Sequence, residues 1–112
     1  MTPETRLANQ IRLQCGKLNW LCYHCLNGLF YSRNGMPIQL DFPVGFPDLL
    51  IITDCGKCAF IETKIHPRKP TSEQLKFQSE LRSRGFVSET VYSIEDFEAV
   101  IKQLVQAGKQ TS

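Results

Sequence analysis

The stretch that decides the fold reads Gly45-Phe46-Pro47-Asp48-Leu49-Leu50-Ile51-Ile52-Thr53-Asp54-Cys55-Gly56-Lys57-Cys58-Ala59-Phe60-Ile61-Glu62-Thr63-Lys64. Residues 48–53 form an apolar, β-branched run, which predicts a strand covered on both faces. Asp54-Cys55-Gly56 predicts a turn, and residues 57–64 a second strand. A three-residue hairpin loop ends on a residue in the left-handed region, where glycine costs nothing. That loop pairs Thr53 with Lys57 and, counting outward, sets Asp48 opposite Glu62. Their Cβ atoms would then lie about 4.5–5.5 Å apart on one face. Lys64, two residues beyond Glu62, shares the face. A two-residue turn would shift the register by one, so loop length decides whether the two acids meet.

Two carboxylates placed face to face repel and weaken a sheet unless something cationic lies between them. A hard divalent cation such as Mg²⁺ suits such a pair, because it takes one or two carboxylates plus water and phosphate oxygens. A cation there can polarise a phosphodiester and activate water. Lys64 could orient that water or neutralise charge growing on the phosphate. It could equally form a salt bridge to the acids at the rim of the sheet.

Outward from the hairpin, the chain reads as an α/β protein. Thr2-Pro3-Glu4 is a helix start, and Leu7, Ile11, Cys15 and Leu18 follow with one apolar residue per turn, up to Gly16 and Asn19. Residues 19–25 read as a strand. Residues 27–44, with Gly28, Gly35, Pro37 and Pro43, read as a loop with a short extended piece over 38–40. Residues 71–84 form a helix carrying Leu75, Phe77 and Leu81, ended by Gly85, and residues 86–92 form another strand. Ser93-Ile94-Glu95-Asp96 caps a final helix. Its stripe is Phe97, Val100, Ile101, Leu104 and Val105, and Gly108 is expected to stop it. The order α-β-β-β-α-β-α implies a small mixed sheet flanked by helices.

Composition sets bounds. The 112 residues are 42% hydrophobic and 21% charged, which suits one folded domain over 1–112 and argues against disorder. No apolar run approaches the ~18 residues that span a bilayer. Met1-Thr2-Pro3-Glu4-Thr5 lacks the layout of a secretory signal, so the expectation is a soluble, cytoplasmic protein with no membrane partner. The net charge of +2 does not by itself announce a nucleic-acid partner. The basic residues do gather in Lys64-Ile65-His66-Pro67-Arg68-Lys69-Pro70, which is either a solvated loop or a phosphate contact.

Gly45-Phe46-Pro47-Asp48, a hairpin, then Glu62-Thr63-Lys64 resembles the PD…(D/E)XK signature of the restriction-endonuclease-like superfamily. Within it, residues 45–97 resemble the virus-type replication-repair nuclease (VRR-NUC) family. The likeness is carried by Gly45-Phe-Pro-Asp-Leu49, Ile61-Glu-Thr-Lys64, Thr71-Ser-Glu-Gln74, Gly85 and Val91-Tyr-Ser-Ile-Glu-Asp96. It covers about half the chain closely and the opening helix loosely. It implies a restriction-endonuclease-like fold and Mg²⁺- or Mn²⁺-dependent cleavage of DNA. By position, Asp48, Glu62, Glu4 and the backbone carbonyl of Thr63 would face the metal, with Lys64 catalytic. Gln74 is a second candidate for the site, although Thr71-Ser-Glu-Gln74 also fits a capping box. Gln78, one turn on, is weaker. Lys64, Arg68, Lys69 and Lys76 would meet DNA. His66 could join them; His24 reads as structural. The resemblance further suggests a homodimer cutting branched or four-way-junction DNA in phage or prophage recombination or repair.

The rival reading rests on Cys22-Tyr-His-Cys25 and Cys55-Gly-Lys-Cys58, two pairs that can signal zinc and a non-catalytic binding module. On a strand, however, Cys22 and Cys25 point to opposite faces. The second pair sits at the hairpin tip, about 23 Å along the strand from Asp48.

Overall fold

A computed structural model describes residues 1–25, 29–39 and 42–110. The elements are α1 (Pro3–Lys17), β1 (Leu21–His24), β2 (Leu29–Tyr31), β3 (Pro37–Gln39), β4 (Leu49–Ile52), β5 (Cys58–Thr63), α2 (Ser72–Ser83), β6 (Val87–Val91) and α3 (Ile94–Gln110). Four strands form one sheet in the order β1-β4-β5-β6, and β2 and β3 form a separate two-stranded ribbon. The pairings β1–β4 and β4–β5 are antiparallel, whereas β5–β6 is parallel, its crossover made by α2. The fold is therefore a mixed α/β sheet flanked by helices, as the sequence predicts.

The hairpin register is the expected one. Leu49 lies opposite Ile61 and Ile52 opposite Cys58. The Thr53 amide donates to the Lys57 carbonyl at 2.8 Å, and Gly56 takes φ +86° at the third loop position. The Thr53 hydroxyl accepts from the Lys57 amide at 2.9 Å and tightens the loop.

One face of the sheet packs against α1 and α3. Leu7, Ile11 and Cys15 from α1 and Phe97, Val100 and Leu104 from α3 meet Leu49, Ile51, Ala59, Ile61 and Val91. The other face is covered more thinly. Phe46 contacts Phe42, Phe60 and Phe77 at ring-centroid distances of 4.7, 5.9 and 5.6 Å. Helix α2 lies on this side and buries none of its residues fully. Its ties are largely polar: Arg82 Nε donates to the Ser88 carbonyl at 2.8 Å, and Gln78 to the Thr90 hydroxyl at 3.3 Å. Strand β4 is accordingly buried on one face and half-buried on the other, not sealed on both.

Local chemistry explains the ends. Thr2 caps α1 by accepting from the Thr5 amide, with Pro3 in the first turn. At its far end Asn19 takes φ +61°, and the amides of Trp20 and Asn19 donate to the carbonyls of Cys15 and Gly16 at 2.9 and 3.2 Å. That is the paired closure of a Schellman motif. The Ser93 hydroxyl accepts from the Asp96 amide at the start of α3.

Three expectations need correction. The loop over 27–44 contains the β2–β3 ribbon, closed by Gly35 at φ +82°; of its expected extended piece, Leu40 lies outside the described residues. Gly108 does not stop α3, which continues to Gln110; a glycine weakens a helix by about 1 kcal/mol without ending it. Val105 stands 40% exposed, outside the buried stripe.

Candidate active site

The candidate residues gather where four elements begin or end, at one end of the sheet's two central strands. Asp48 precedes β4, Glu62 and Thr63 close β5, and Glu4 and Gln74 sit in the first turns of α1 and α2. The observed register carried one step past Leu49–Ile61 sets Asp48 beside Glu62, and Glu62 pairs with Thr90 on its other side. The Cys25 amide donates to the Asp48 carbonyl, fixing the Asp48 backbone to the end of β1.

Asp48 is held from β5. The Thr63 amide and the Thr63 hydroxyl both donate to its Oδ2, at 3.0 and 2.8 Å. In a strand the amide and carbonyl of one residue point to the same side. The Thr63 carbonyl therefore also faces the Asp48 side of β5.

Glu62 is held from α2. The Gln74 side-chain nitrogen donates to Glu62 Oε1 at 2.8 Å. The same amide's oxygen accepts from the Thr71 backbone at 2.8 Å, while the Thr71 hydroxyl accepts from the Gln74 amide at 3.2 Å. The capping box and the contact with Glu62 thus coexist on one side chain, and having a donor role at one end and an acceptor role at the other orients the amide unambiguously.

The electrostatics are unusual for the end of a central strand pair. Glu62 is 7% exposed, and its Oε2 is buried with no hydrogen-bond partner among the described residues. Burial pushes its carboxyl up to about 8, the neighbouring Asp48 and the more distant Glu4 push the same way, and the Lys64 charge pulls back. Lys64 is 5% exposed and makes no ion pair with a described residue. Its charge serves the acid pair as a field and not as a bonded partner.

Glu4 borders a cavity of about 130 Å³ together with Asp48, Thr63, Thr2, Thr5, Ala8 and His24. Its Oε1 accepts from Arg68 at 3.3 Å, which folds the basic loop back onto the start of α1. Among the described residues, no three His, Cys, Asp or Glu side chains converge as a ligand set. Glu4 therefore shares the cavity with Asp48 without completing a triad with Glu62. Lys69 is exposed on the loop beyond Arg68, and Lys76 is exposed on α2 beside Glu73 and Glu80. Of the basic candidates, Lys76 is the farthest from the carboxylates in chain terms, one turn past the helix start.

Sequence reasoning overlooked several participants. His24, expected to be structural, is exposed and lines the cavity. His66 stacks on Tyr92 with ring centroids 4.1 Å apart, so it braces the loop. The Thr63 side chain carried no signal beyond its place between Glu62 and Lys64. Gly45 packs at φ +93° so tightly that a Cβ would sit 2.7 Å from Glu73 Cβ. This glycine sets the approach to Asp48 directly against the first turn of α2.

The cysteine pairs do not converge. Cys22 lies opposite Ile51, and Ile51 opposite Ala59, whereas Cys58 lies opposite Ile52. Cys22 and Cys58 therefore project from opposite faces of the sheet, where one tetrahedral ion cannot reach both. A larger hollow of about 620 Å³, lined by Arg12, Trp20, Cys22 and Tyr23, lies between α1 and β1, and none of the candidate catalytic residues lines it.

The hairpin with Asp48 and Glu62 abreast, inside a mixed sheet flanked by helices, defines a nuclease-type domain. Among solved structures, a chain described as "VRR_NUC domain" superposes with a TM-score of 0.69 at 26% identity, over 91% of this chain and 97% of that one. In fold and in its signature residues the chain is thus similar to a VRR-NUC domain. No family model and no curated protein matches it.

Proposed function

We propose that the protein is a metal-dependent deoxyribonuclease that hydrolyses phosphodiester bonds at the Asp48–Glu62 edge. The observation that carries this reading is the buried Glu62 Oε2, without a hydrogen-bond partner among the described residues, beside a second carboxylate. An unsatisfied buried carboxylate oxygen is costly, and a cation is the group that would relieve it. Mg²⁺ or Mn²⁺ fits the donor set: Asp48, Glu62 and the Thr63 carbonyl are all oxygen donors, and such ions need no more than two carboxylates. The ion supplies Lewis acidity toward the phosphate and toward the attacking water.

The protein's own residues have separate tasks. Gln74 holds Glu62 and Thr63 holds Asp48, so the carboxylates do not have to reorganise during reaction. Lys64, buried and without an ion pair among the described residues, is placed to stabilise negative charge on the phosphate as water attacks in line with the departing oxygen. Arg68 and Lys69 extend positive charge outward along a flanking strand, and Lys76 adds to it from α2. Glu4, held by Arg68, links this basic loop to the cavity wall. Contacts of this kind read the phosphate backbone and not base sequence, which favours selection of DNA structure, with branched and four-way junctions the leading substrates. A homodimer presenting two such sites would cut a junction symmetrically. A role in phage or prophage recombination or repair follows from that substrate.

The test is cleavage of labelled duplex, single-stranded, flap and four-way-junction DNA with Mg²⁺, Mn²⁺ or chelator, for the wild type and Lys64→Ala. Metal-dependent cutting lost in Lys64→Ala is expected. A folded wild type that cuts none of them refutes the proposal.

A further inference from the structure

Among the site contacts, one belongs to no established part of the signature. The middle residue of Glu62-Thr63-Lys64 contributes its side chain to the neighbouring strand's carboxylate. Thr63 is 4% exposed, and its hydroxyl and amide converge on the same oxygen, Asp48 Oδ2. Besides Thr63, the described side chain that bonds Asp48 is the Glu62 carboxyl, and only while it is protonated; once a cation displaces that proton, Oδ1 has no donor among the hydrogen bonds of the described residues. Hydrogen bonds to a carboxylate are the strong kind, and two of them commit Oδ2 to the protein. Asp48 therefore has one oxygen to offer a ligand.

That asymmetry discriminates between ions. Mg²⁺ demands octahedral geometry at ~2.0–2.1 Å and accepts carboxylates through single oxygens. Ca²⁺ takes six to eight oxygens at ~2.3–2.6 Å and gains coordination number by gripping both oxygens of a carboxylate. We infer that the Thr63 hydroxyl is a specificity-determining group, which keeps Asp48 to single-oxygen coordination and biases the site toward small octahedral cations over Ca²⁺. The inference rests on the metal-dependent reading proposed above.

Removing the hydroxyl leaves the amide as Oδ2's one remaining donor from Thr63. Asp48 could then rotate to present both oxygens. The loss of one charge-assisted hydrogen bond sets the scale at about tenfold in the ratio of affinities.

The experiment is competition of Mg²⁺ and of Ca²⁺ against bound Mn²⁺, read by the electron paramagnetic resonance of free Mn²⁺, with no DNA present. Thr63→Val is expected to shift the Ca²⁺-to-Mg²⁺ affinity ratio about tenfold toward Ca²⁺. Thr63→Ser, which keeps the hydroxyl, is expected to stay within about twofold of wild type, inside the few tenths of a kcal/mol separating two intact hydrogen bonds. Thr63→Ala removes the same hydroxyl and serves if the valine variant does not fold. A ratio unchanged in the variants lacking the hydroxyl, or a serine variant shifted as far as they are, overturns the role of Thr63 and leaves the metal site standing. A wild type that binds no Mn²⁺ overturns both together. General loosening of the fold would weaken both ions alike and leave their ratio in place.

Discussion

Glu62 offers the sharpest quantitative test, because its environment makes the protein's stability depend on pH in a direction opposite to that of most carboxylates. Burial and Asp48 carry its carboxyl from an ordinary 4.5 up to about 8. A group whose folded value is raised contributes stability that is fully present below its unfolded value and lost as pH rises through the folded one. The window is therefore about pH 4.5 to 8. At 1.36 kcal/mol per pH unit the loss is at most about 5 kcal/mol. Water drawn into the opened edge reduces the effective penalty of a buried charge, and about 3 kcal/mol is expected. That is a large fraction of the stability of a small domain. Glu62→Gln mimics the protonated side chain: its oxygen keeps the bond from Gln74 and its nitrogen faces Asp48. Urea unfolding in chelator between pH 5 and 8.5 should show the wild-type midpoint falling relative to the variant by about 2 M. Comparing the two proteins cancels contributions common to both. Mg²⁺ at pH 8 should restore the wild type and leave the variant unchanged. A wild-type-minus-variant difference that stays flat across this range would refute the reasoning.

Further outcomes follow from other contacts. Gly45→Ala introduces a side chain at φ +93° and 2.7 Å from Glu73 Cβ; left-handed strain of ~1–2 kcal/mol plus the clash should cost about 2–4 kcal/mol in thermal or urea unfolding. Gln74→Leu deletes half a capping box and the bond to Glu62, so it should cost about 1–2 kcal/mol and weaken Mn²⁺ binding, whereas an ordinary exposed cap lost elsewhere would affect stability alone. Lys64→Met removes a buried charge that has no ion-pair partner among the described residues, so folding stability at pH 6 should stay within about 1 kcal/mol while cleavage is lost. Arg68→Ala breaks an exposed pair and should change stability by less than about 0.5 kcal/mol. The salt dependence of DNA binding should then shallow by about one phosphate contact.

The parts of this site that were legible in the sequence are the local ones. Asp54-Cys55-Gly56 determines a loop length, the loop determines a register, and the register brings Asp48 to Glu62, all within one hairpin. Helix caps at Thr2, Thr71 and Ser93 are equally local. What escaped depends on contacts between distant segments. The β2–β3 ribbon has strands of three residues each, too short for an alternation to register, and Pro37 opens one of them. Gly45 reads as a turn residue until α2 is placed against it. Gln74 offered two readings that looked exclusive, and nothing in the sequence says that one amide can serve both ends. The Thr63 hydroxyl was invisible for a simpler reason: the middle position of Glu-X-Lys carries no chemical requirement of its own, and its use here arises from the neighbouring strand.

The shared amide of Gln74 also couples two motions that are usually independent. Opening the first turn of α2 releases the Gln74 backbone N–H, which the Thr71 hydroxyl otherwise holds, and the same event frees Glu62. Helix α2 has no fully buried residue to anchor it, so this turn belongs to the easily opened part of the molecule. An ion that draws on Glu62 should therefore slow hydrogen exchange at the start of α2, even though the ion touches no part of the helix. The Gln74 amide proton would act as a built-in gauge of whether the acidic edge is loaded.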